Sequence, residues 1–528
     1  MDGNGIVRAG YTIPPCFEDV VTFTIGHENY DQDRPILIDA AQPVDNYVTL
    51  RYARNFVRNL IGSLKADNVG PDSVVCLHMF NSIKYPLIVL AVIGTGAKVT
   101  AANPAYTSSE LRHHFFVSET THVISCEEKI QVAEEAAERM EDIRGPILCT
   151  VQEIDSFAAR GRPQPWLKFT DDNIAKKTVA VLNSTSGTTG LPKMAARSHY
   201  SLVMECIAIQ DVAPKDYEMR RLLCTPFFHG LTMPLAVIAA LRFGIATYVM
   251  RRFSSDHFLA FVKDYDIKET AMPPPLLIHY LNMDPSHRQA LKGLRKVWTG
   301  GAPLRQETQY RVRAMFHARV CIAQVWGMTE GGWMTTFPYP ENDKSGSVGR
   351  LIATYEACVV VEEDDGAKYK IRDYNRKGEI LVRGPINMQG YHNDPSATNA
   401  IIDEQGWLHT GDLGYIDNDG RIYVVERLKD MIKAKGFQVS PAELEARLIS
   451  HPAISDAAVI GLEKPHIGTE VPLIFVVLQE DLDPKDLKAY LGEHIARYKV
   501  EHAEIRVVEE IPKSLSGKIL KNELRKQI

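Results

Sequence analysis

Short apolar runs alternate with longer stretches of helical spacing up to about residue 370, and this alternation restricts the fold more than any single residue does. Residues 73–79 (SVVCLHM) and 121–125 (THVIS) read as strands, while 133–140 (AEEAAERM) is rich in helix formers. Strands apolar along their whole length and separated by helices predict α/β layers with buried, largely parallel sheets. A chain of 528 residues is too long for one compact core, so two or more domains are expected.

The pattern changes towards the C-terminus. Residues 378–383 (GEILVR) and 421–426 (RIYVVE) read as short strands, the second preceded by Asp417-Asn418-Asp419-Gly420. That acidic segment is a hairpin turn and not a calcium loop, because it lacks the alternating oxygen ligands and distal Glu of an EF-hand. Ser440-Pro441-Ala442-Glu443 offers an N-cap, a first-turn proline and a capping-box glutamate. Strand-like 457–462 and 472–478 and a helical 484–497 follow, so the residues from Lys429 onward are expected to form a small mixed domain.

Charge and cysteine content narrow the class. Sixty basic against 66 acidic residues give a net charge of −6 without a dominant block, which does not fit a nucleic-acid binder. The eight cysteines contain no CxxC pair, and His122 and Cys126 have no second pair to complete a metal site, so reduced core thiols are expected. No signal peptide is evident, the run 86–94 (PLIVLAVIG) is too short to span a bilayer, and the C-terminus is not of the Ser-Lys-Leu type. A cytoplasmic location is the expectation.

The densest chemical signal is Ser184-Thr185-Ser186-Gly187-Thr188-Thr189-Gly190-Leu191-Pro192-Lys193, which follows the apolar run 178–182. Its glycines allow close backbone approach, its hydroxyls donate to anionic oxygens and Lys193 adds a charge, so it reads as a phosphate cradle. It is not a Walker A loop: two residues rather than four separate Gly187 and Gly190, and Lys193 stands between Pro192 and Met194.

Further motifs follow in order: Pro226-Phe227-Phe228-His229-Gly230, Gly300-Gly301-Ala302-Pro303-Leu304, Trp326-Gly327-Met328-Thr329-Glu330, Thr410-Gly411-Asp412, Glu426-Arg427-Leu428-Lys429, Lys435-Gly436-Phe437-Gln438 and Ser516-Gly517-Lys518. With the loop, this series resembles the acyl-adenylate-forming superfamily, in its coumarate–CoA ligase-like branch. The resemblance implies a large N-terminal domain (1–428) of layered α/β subdomains with a small β-barrel-like part, and a small mobile α+β C-terminal domain (429–528). It implies ATP, Mg²⁺ and CoA, with an acid activated as acyl-AMP and passed to CoA. A carrier protein as acceptor, or a catalytically silent nucleotide-binding homologue, remain the alternatives.

Residue by residue, the resemblance assigns the loop residues Thr185, Ser186, Gly187, Thr188, Thr189, Gly190 and Lys193 to phosphate. Gly301, Ala302 and Pro303 fall to the adenine, Trp326 to its stacking position with Gly327 beside it, and Asp412 and Arg427 to the ribose. Thr329 is expected at the α-phosphate and Glu330 at Mg²⁺. Lys518 is the adenylation lysine, His229 gates the thiol, and Lys429 is the hinge that brings Lys433, Lys435, Gly436 and Gln438 to the pantetheine arm. The acyl pocket is expected near Leu231, Thr232, Met233, Leu235, Trp298, Gly331, Gly332 and Trp333, which favours an apolar acid over a phenolic one. Three departures stand out: Met194 after the loop lysine, Glu426 where Asp is usual, and Leu515 where Pro is frequent.

Overall fold

The computed structural model describes the chain except residues 139, 141–144, 170, 186–191, 303, 305, 342, 363–367, 372, 435–436, 465–468, 481, 496 and 515–516. For 145–147, 362, 368–369, 433–434, 437–438, 469, 493–494 and 497–498 it describes the backbone alone.

Two sheets built mainly of parallel strands form the body of the larger domain. In the seven-stranded sheet, Val179–Ser184, Lys98–Ala101, Val74–His78, His122–Ser125 and Gly145–Thr150 run parallel, and Met194–Ser198 and Gly390–Tyr391 extend it antiparallel. In the nine-stranded sheet, Leu37–Asp39, Ala246–Val249, Arg220–Leu223, Glu269–Ala271, Lys296–Gly300 and Cys321–Met328 are parallel, with antiparallel additions at both edges. Every residue of Val74–His78, His122–Ser125 and Lys296–Gly300 is buried, as expected of strands covered on both faces. The helix Tyr85–Gly94 is buried all round, which accounts for the apolar run noted above. Among the described residues no helix is long and apolar enough to cross a membrane.

The third sheet is antiparallel, in the order Ile6–Arg8, Glu356–Glu362, Gly378–Arg383, Leu408–Ile416 and Ile422–Arg427, with Lys368–Lys370 paired beside the second. It corresponds to the barrel-like part, and its hydrogen-bonded path is open among the described residues. The turn before its last strand closes through Gly420 N–H donating to the Asp417 carbonyl at 3.0 Å, a plain hairpin turn.

After the single helical turn Leu428–Asp430 the chain builds a smaller domain. It contains the hairpin Ile432–Ala434/Phe437–Val439 and a three-stranded sheet of Ile454–Lys464, Thr469–Leu478 and Glu504–Val507. Two of its apolar clusters are made only of residues from Ile432 onward, so it has a core of its own. The helix Pro441–Ile449 starts at Ser440 as expected, with Ser440 Oγ accepting from Glu443 N–H at 3.2 Å. The reciprocal half of the capping box is not formed. Glu443 pairs instead with Lys499, at 2.6 Å. Glu426, from the last strand of the large domain, accepts from Ser440 Oγ at 2.7 Å and from Ala442 N–H at 2.8 Å. A carboxylate at a helix N-terminus is favoured wherever it comes from, and this one arrives from across the interdomain connection.

Candidate active site

The loops carrying the motifs leave the C-terminal ends of parallel strands, where open α/β sheets place their ligands. Val179–Ser184 leads into the glycine and hydroxyl loop, Arg220–Leu223 into His229, Lys296–Gly300 into Gly301 and Ala302, and Cys321–Met328 into Thr329 and Glu330. Thr185 and Lys193 bracket the first loop. Thr185 N–H donates to the Lys193 carbonyl at 2.8 Å, and Lys193 N–H to Thr185 Oγ1 at 3.1 Å. Ser186, Gly187, Thr188, Thr189 and Gly190 lie outside the described residues, as do Pro303, Lys435 and Gly436.

Lys193 Nζ lies 3.9 Å from the Asp394 carboxylate and 5.1 Å from the centre of the Tyr391 ring. The Tyr391 hydroxyl donates to Glu330 Oε1 at 2.7 Å, so this phenol links the loop lysine to the buried glutamate. Burial and the neighbouring carboxylate push the Tyr391 hydroxyl far above the ordinary phenol range, so it stays a donor. Sequence reasoning did not single out Tyr391. Thr329, half-buried, precedes Glu330 in a tight reversal. A Cβ on Gly327 would overlap the Gly332 carbonyl, and Gly332 itself has φ +60°. That crowding is the reason for glycine on both sides of the reversal.

Trp326, Asp412 and Arg427 form one unit. Asp412 and Arg427 face each other across neighbouring strands, with Arg427 Nε 2.7 Å from Asp412 Oδ1. Trp326 Nε1–H donates to Asp412 Oδ2 at 2.8 Å. That bond lies in the plane of the indole, whose ring is buried. Burial pushes the Asp412 carboxyl up, and Arg427, the indole N–H, Lys429 and Lys518 oppose the rise. The indole therefore supplies a donor that positions a carboxylate.

Lys518 comes from the far end of the chain to the same place. Burial, then Arg427 and Lys429, lower its ammonium to about 8, against the pull of Asp430 and Asp412. Lys518 in turn contributes to depressing the His229 imidazole, second to burial. The hairpin carrying Lys518 is closed by Ser514 N–H to the Lys518 carbonyl at 2.8 Å. Gly517, at φ +78°, packs so closely on Pro275 that a Cβ would overlap the proline ring. Lys521 Nζ lies 3.3 Å from Asp430. The small domain thus rests with its lysine against the large-domain site.

The turn bearing His229 is held by Asn81. Asn81 Oδ1 accepts from Phe227 N–H at 2.9 Å, while its Nδ2 donates to the Thr225 and Met250 carbonyls at 2.9 and 3.1 Å. Next to it, Trp298 and Trp333 meet edge to face at 6.4 Å between ring centres. Trp333 Nε1–H donates to the Leu231 carbonyl at 3.0 Å, and its backbone N–H to Glu205 Oε1 at 2.8 Å. Glu205 is buried in a 2.9 Å ion pair with Arg197. Arg221 and Lys296 each lie 4.8 Å from the Trp298 ring. Met233 and Leu235 are buried, and Thr232 Oγ1 is bonded to Thr225 Oγ1 at 2.9 Å. Lys433 and Gln438 face each other in the backbone register of the small-domain hairpin.

Among the described residues no three His, Cys, Asp or Glu side chains cluster as a metal cage. A single carboxylate such as Glu330 suits Mg²⁺ that arrives on nucleotide phosphates, since Mg²⁺ keeps water and substrate oxygens in its shell.

Two family models match the chain, "AMP-binding enzyme" over residues 27–392 and "AMP-binding enzyme C-terminal domain" over 443–518. Over 520 residues the chain is 37% identical to a phenylacetyl-CoA ligase of Aspergillus niger, covering 96% of each protein. It is 33% identical over 541 residues to a 4-coumarate–CoA ligase of Humulus lupulus, covering 97% of this chain and 93% of that one. Its fold is shared with ATP-bound MatB from Rhodopseudomonas palustris, at a TM-score of 0.83 and 22% identity over 96% of this chain and 98% of that one.

Proposed function

The chain belongs to the AMP-binding enzyme family, and on that premise we propose that it joins a carboxylic acid to CoA through an acyl-AMP. The observation carrying this reading is the convergence of Lys518, nearly 90 residues beyond the hinge, on Asp412, Arg427 and His229. In the first step a substrate carboxylate oxygen attacks the α-phosphorus of ATP, and the bond to the leaving pyrophosphate breaks. The thiol of CoA then attacks the acyl carbon, and AMP leaves.

Positioning and charge compensation supply most of what such a phosphorus displacement needs. Lys193, Arg427, Lys429 and Lys518 place four cations around the path of the phosphates. Asp412 keeps lone pairs for the ribose hydroxyls after accepting from Trp326 and Arg427. The Trp326 face and the Gly301–Ala302–Pro303 backbone take the adenine, with Gly327 leaving room beside it, and Thr329 donates to the α-phosphate. Glu330 would hold Mg²⁺, which supplies charge neutralisation on the phosphates. The large domain spans 1–428 and the small one 429–528; rotation at Lys429 withdraws Lys518 and brings the hairpin Ile432–Ala434/Phe437–Val439 towards the pantetheine arm. His229 stands at the thiol entrance, its imidazole kept neutral by burial.

The acid is apolar, aryl or aliphatic. Trp298, Trp333, Leu231 and Met233 support this, as does the likeness to a phenylacetyl-CoA ligase. Lys518→Ala is expected to slow acyl-AMP formation by about 10²–10³-fold, in the range for a lost charge-stabilising donor, while thioester formation from supplied acyl-AMP persists. Equal losses in both half-reactions would refute the assignment. A pyrophosphate-release screen in which p-coumarate outperformed every apolar acid would refute the substrate class.

A further inference from the structure

The segment 388–394 joins the two large sheets at the site. Gly390–Tyr391 pairs with Ala195 and Ala196 as the edge of the seven-stranded sheet, and His392 N–H donates to the Met194 carbonyl at 2.8 Å. At its other end Met388 N–H donates at 2.7 Å to the carbonyl of Glu330, which lies in the reversal between two strands of the nine-stranded sheet. The segment is also fixed from outside the site. Tyr391 N–H donates to Thr398 Oγ1 at 2.8 Å, and Gln389 Nε2 to the Lys177 carbonyl at 3.0 Å. Asp394 accepts from Ala397 N–H at 2.9 Å and so caps the helix Pro395–Ile401.

Lys193 and Glu330 therefore come from different sheets, and Tyr391 is where they meet. The phenol touches them through different atoms. Its hydroxyl donates to Glu330 Oε1 at 2.7 Å, and its ring centre lies 5.1 Å from Lys193 Nζ. A hydrogen bond to one carboxylate oxygen fixes the side chain and leaves its negative charge in place, which is how outer partners orient metal-binding carboxylates. An aromatic ring holds an ammonium without neutralising it. Asp394 lies 3.9 Å from Lys193 Nζ, but both side chains are more than two-fifths exposed, so that ion pair is weak and leaves the lysine available to phosphate oxygens.

We propose that Tyr391 is a positioning residue with two separable contacts: its hydroxyl holds the Glu330 carboxylate for Mg²⁺, and its ring seats the Lys193 ammonium for the nucleotide phosphates. This rests on Glu330 being the Mg²⁺ carboxylate, and one variant tests that by itself. Binding of α,β-methylene-ATP, which cannot release pyrophosphate, is measured by calorimetry with Mg²⁺ and with EDTA. The ratio of the two Kd values is the gain in affinity that the metal gives. Tyr391→Phe is expected to cut that gain by about 10–100-fold, the range for a lost outer partner of a metal ligand, with Kd in EDTA within twofold of the unaltered enzyme. Tyr391→Leu should in addition weaken binding in EDTA by about threefold to fivefold, the effect of one exposed cation–π contact. On a Glu330→Gln background Tyr391→Phe should change the gain no further, because the two side chains act as one unit. A gain within twofold of the unaltered value in Tyr391→Phe, or equal weakening in Mg²⁺ and EDTA, would overturn the role of the hydroxyl. Unchanged binding of Tyr391→Leu in EDTA would overturn that of the ring. Retention of the whole gain in Glu330→Gln would overturn the metal assignment beneath the proposal.

Discussion

Raising the pH tests the role of Lys518 without changing a residue. Its ammonium, lowered from 10.5 to about 8 chiefly by burial, is largely protonated at pH 7 and mostly neutral by pH 9. The lowering from 10.5 to about 8 corresponds to about 3 kcal/mol held against the charged form of the docked lysine. The sign follows directly: a depressed lysine loses its cation as pH rises through the folded value, and the docked arrangement without nucleotide becomes more favourable between about 8 and 10.5. Acyl-AMP formation needs the cation, so kcat/KM for ATP should be level below about pH 8 and fall about tenfold per pH unit above it. Bound nucleotide adds negative charge near Lys518, so the same limb in kcat should appear at higher pH. The assay is pyrophosphate release in a single turnover, scanned from pH 6.5 to about 10. Thioester formation from supplied acyl-AMP should respond in the opposite sense, rising as a thiol of ordinary pKa about 8.5 ionises. A limb of unchanged position in Lys518→Met, or no limb at all for ATP, would refute the reasoning.

Trp326→Phe keeps a stacking face but removes the donor to Asp412. KM for ATP should rise about tenfold or more, the range for a hydrogen bond to a charged group, and steady-state kinetics with an unchanged value would show that the indole N–H is incidental. Glu205→Ala leaves Arg197 buried without its carboxylate and frees the Trp333 backbone, so unfolding stability should fall by roughly 3–5 kcal/mol, measured by denaturant titration. Lys429→Pro should hold one domain orientation and uncouple the two half-reactions; unaltered overall turnover would count against a hinge there.

What the sequence discloses and what it hides divide along the reach of the interactions. Continuous apolar strands announce parallel sheets because the signal is local, and the cradle is legible because its residues are consecutive. Tyr391 was not legible: its partners Lys193 and Glu330 are far away in the chain, and nothing around Gly390 marks a phenol as a linker. Glu205 and Trp333 meet across 128 positions, inside a core where a lone glutamate in a helix reads as solvated. The capping box at Ser440 fitted its local pattern, yet Glu426 supplied the carboxylate instead and left Glu443 to Lys499. A substitution that resembles a longer-reaching Asp in sequence is, in three dimensions, half of a cap.

That cap bears on the order of events. Glu426 precedes Lys429, while Ser440 and Ala442 follow it, so the two bonds close a short ring of chain around the hinge. The ring is intact in the arrangement that places Lys518 in the site. Swinging the small domain away must either carry the helix start along a tightly limited arc or strand a buried carboxylate and two donors at once. In the proposed hinge motion these two bonds favour the arrangement that forms the adenylate, and they offset the cost of burying the Lys518 cation there.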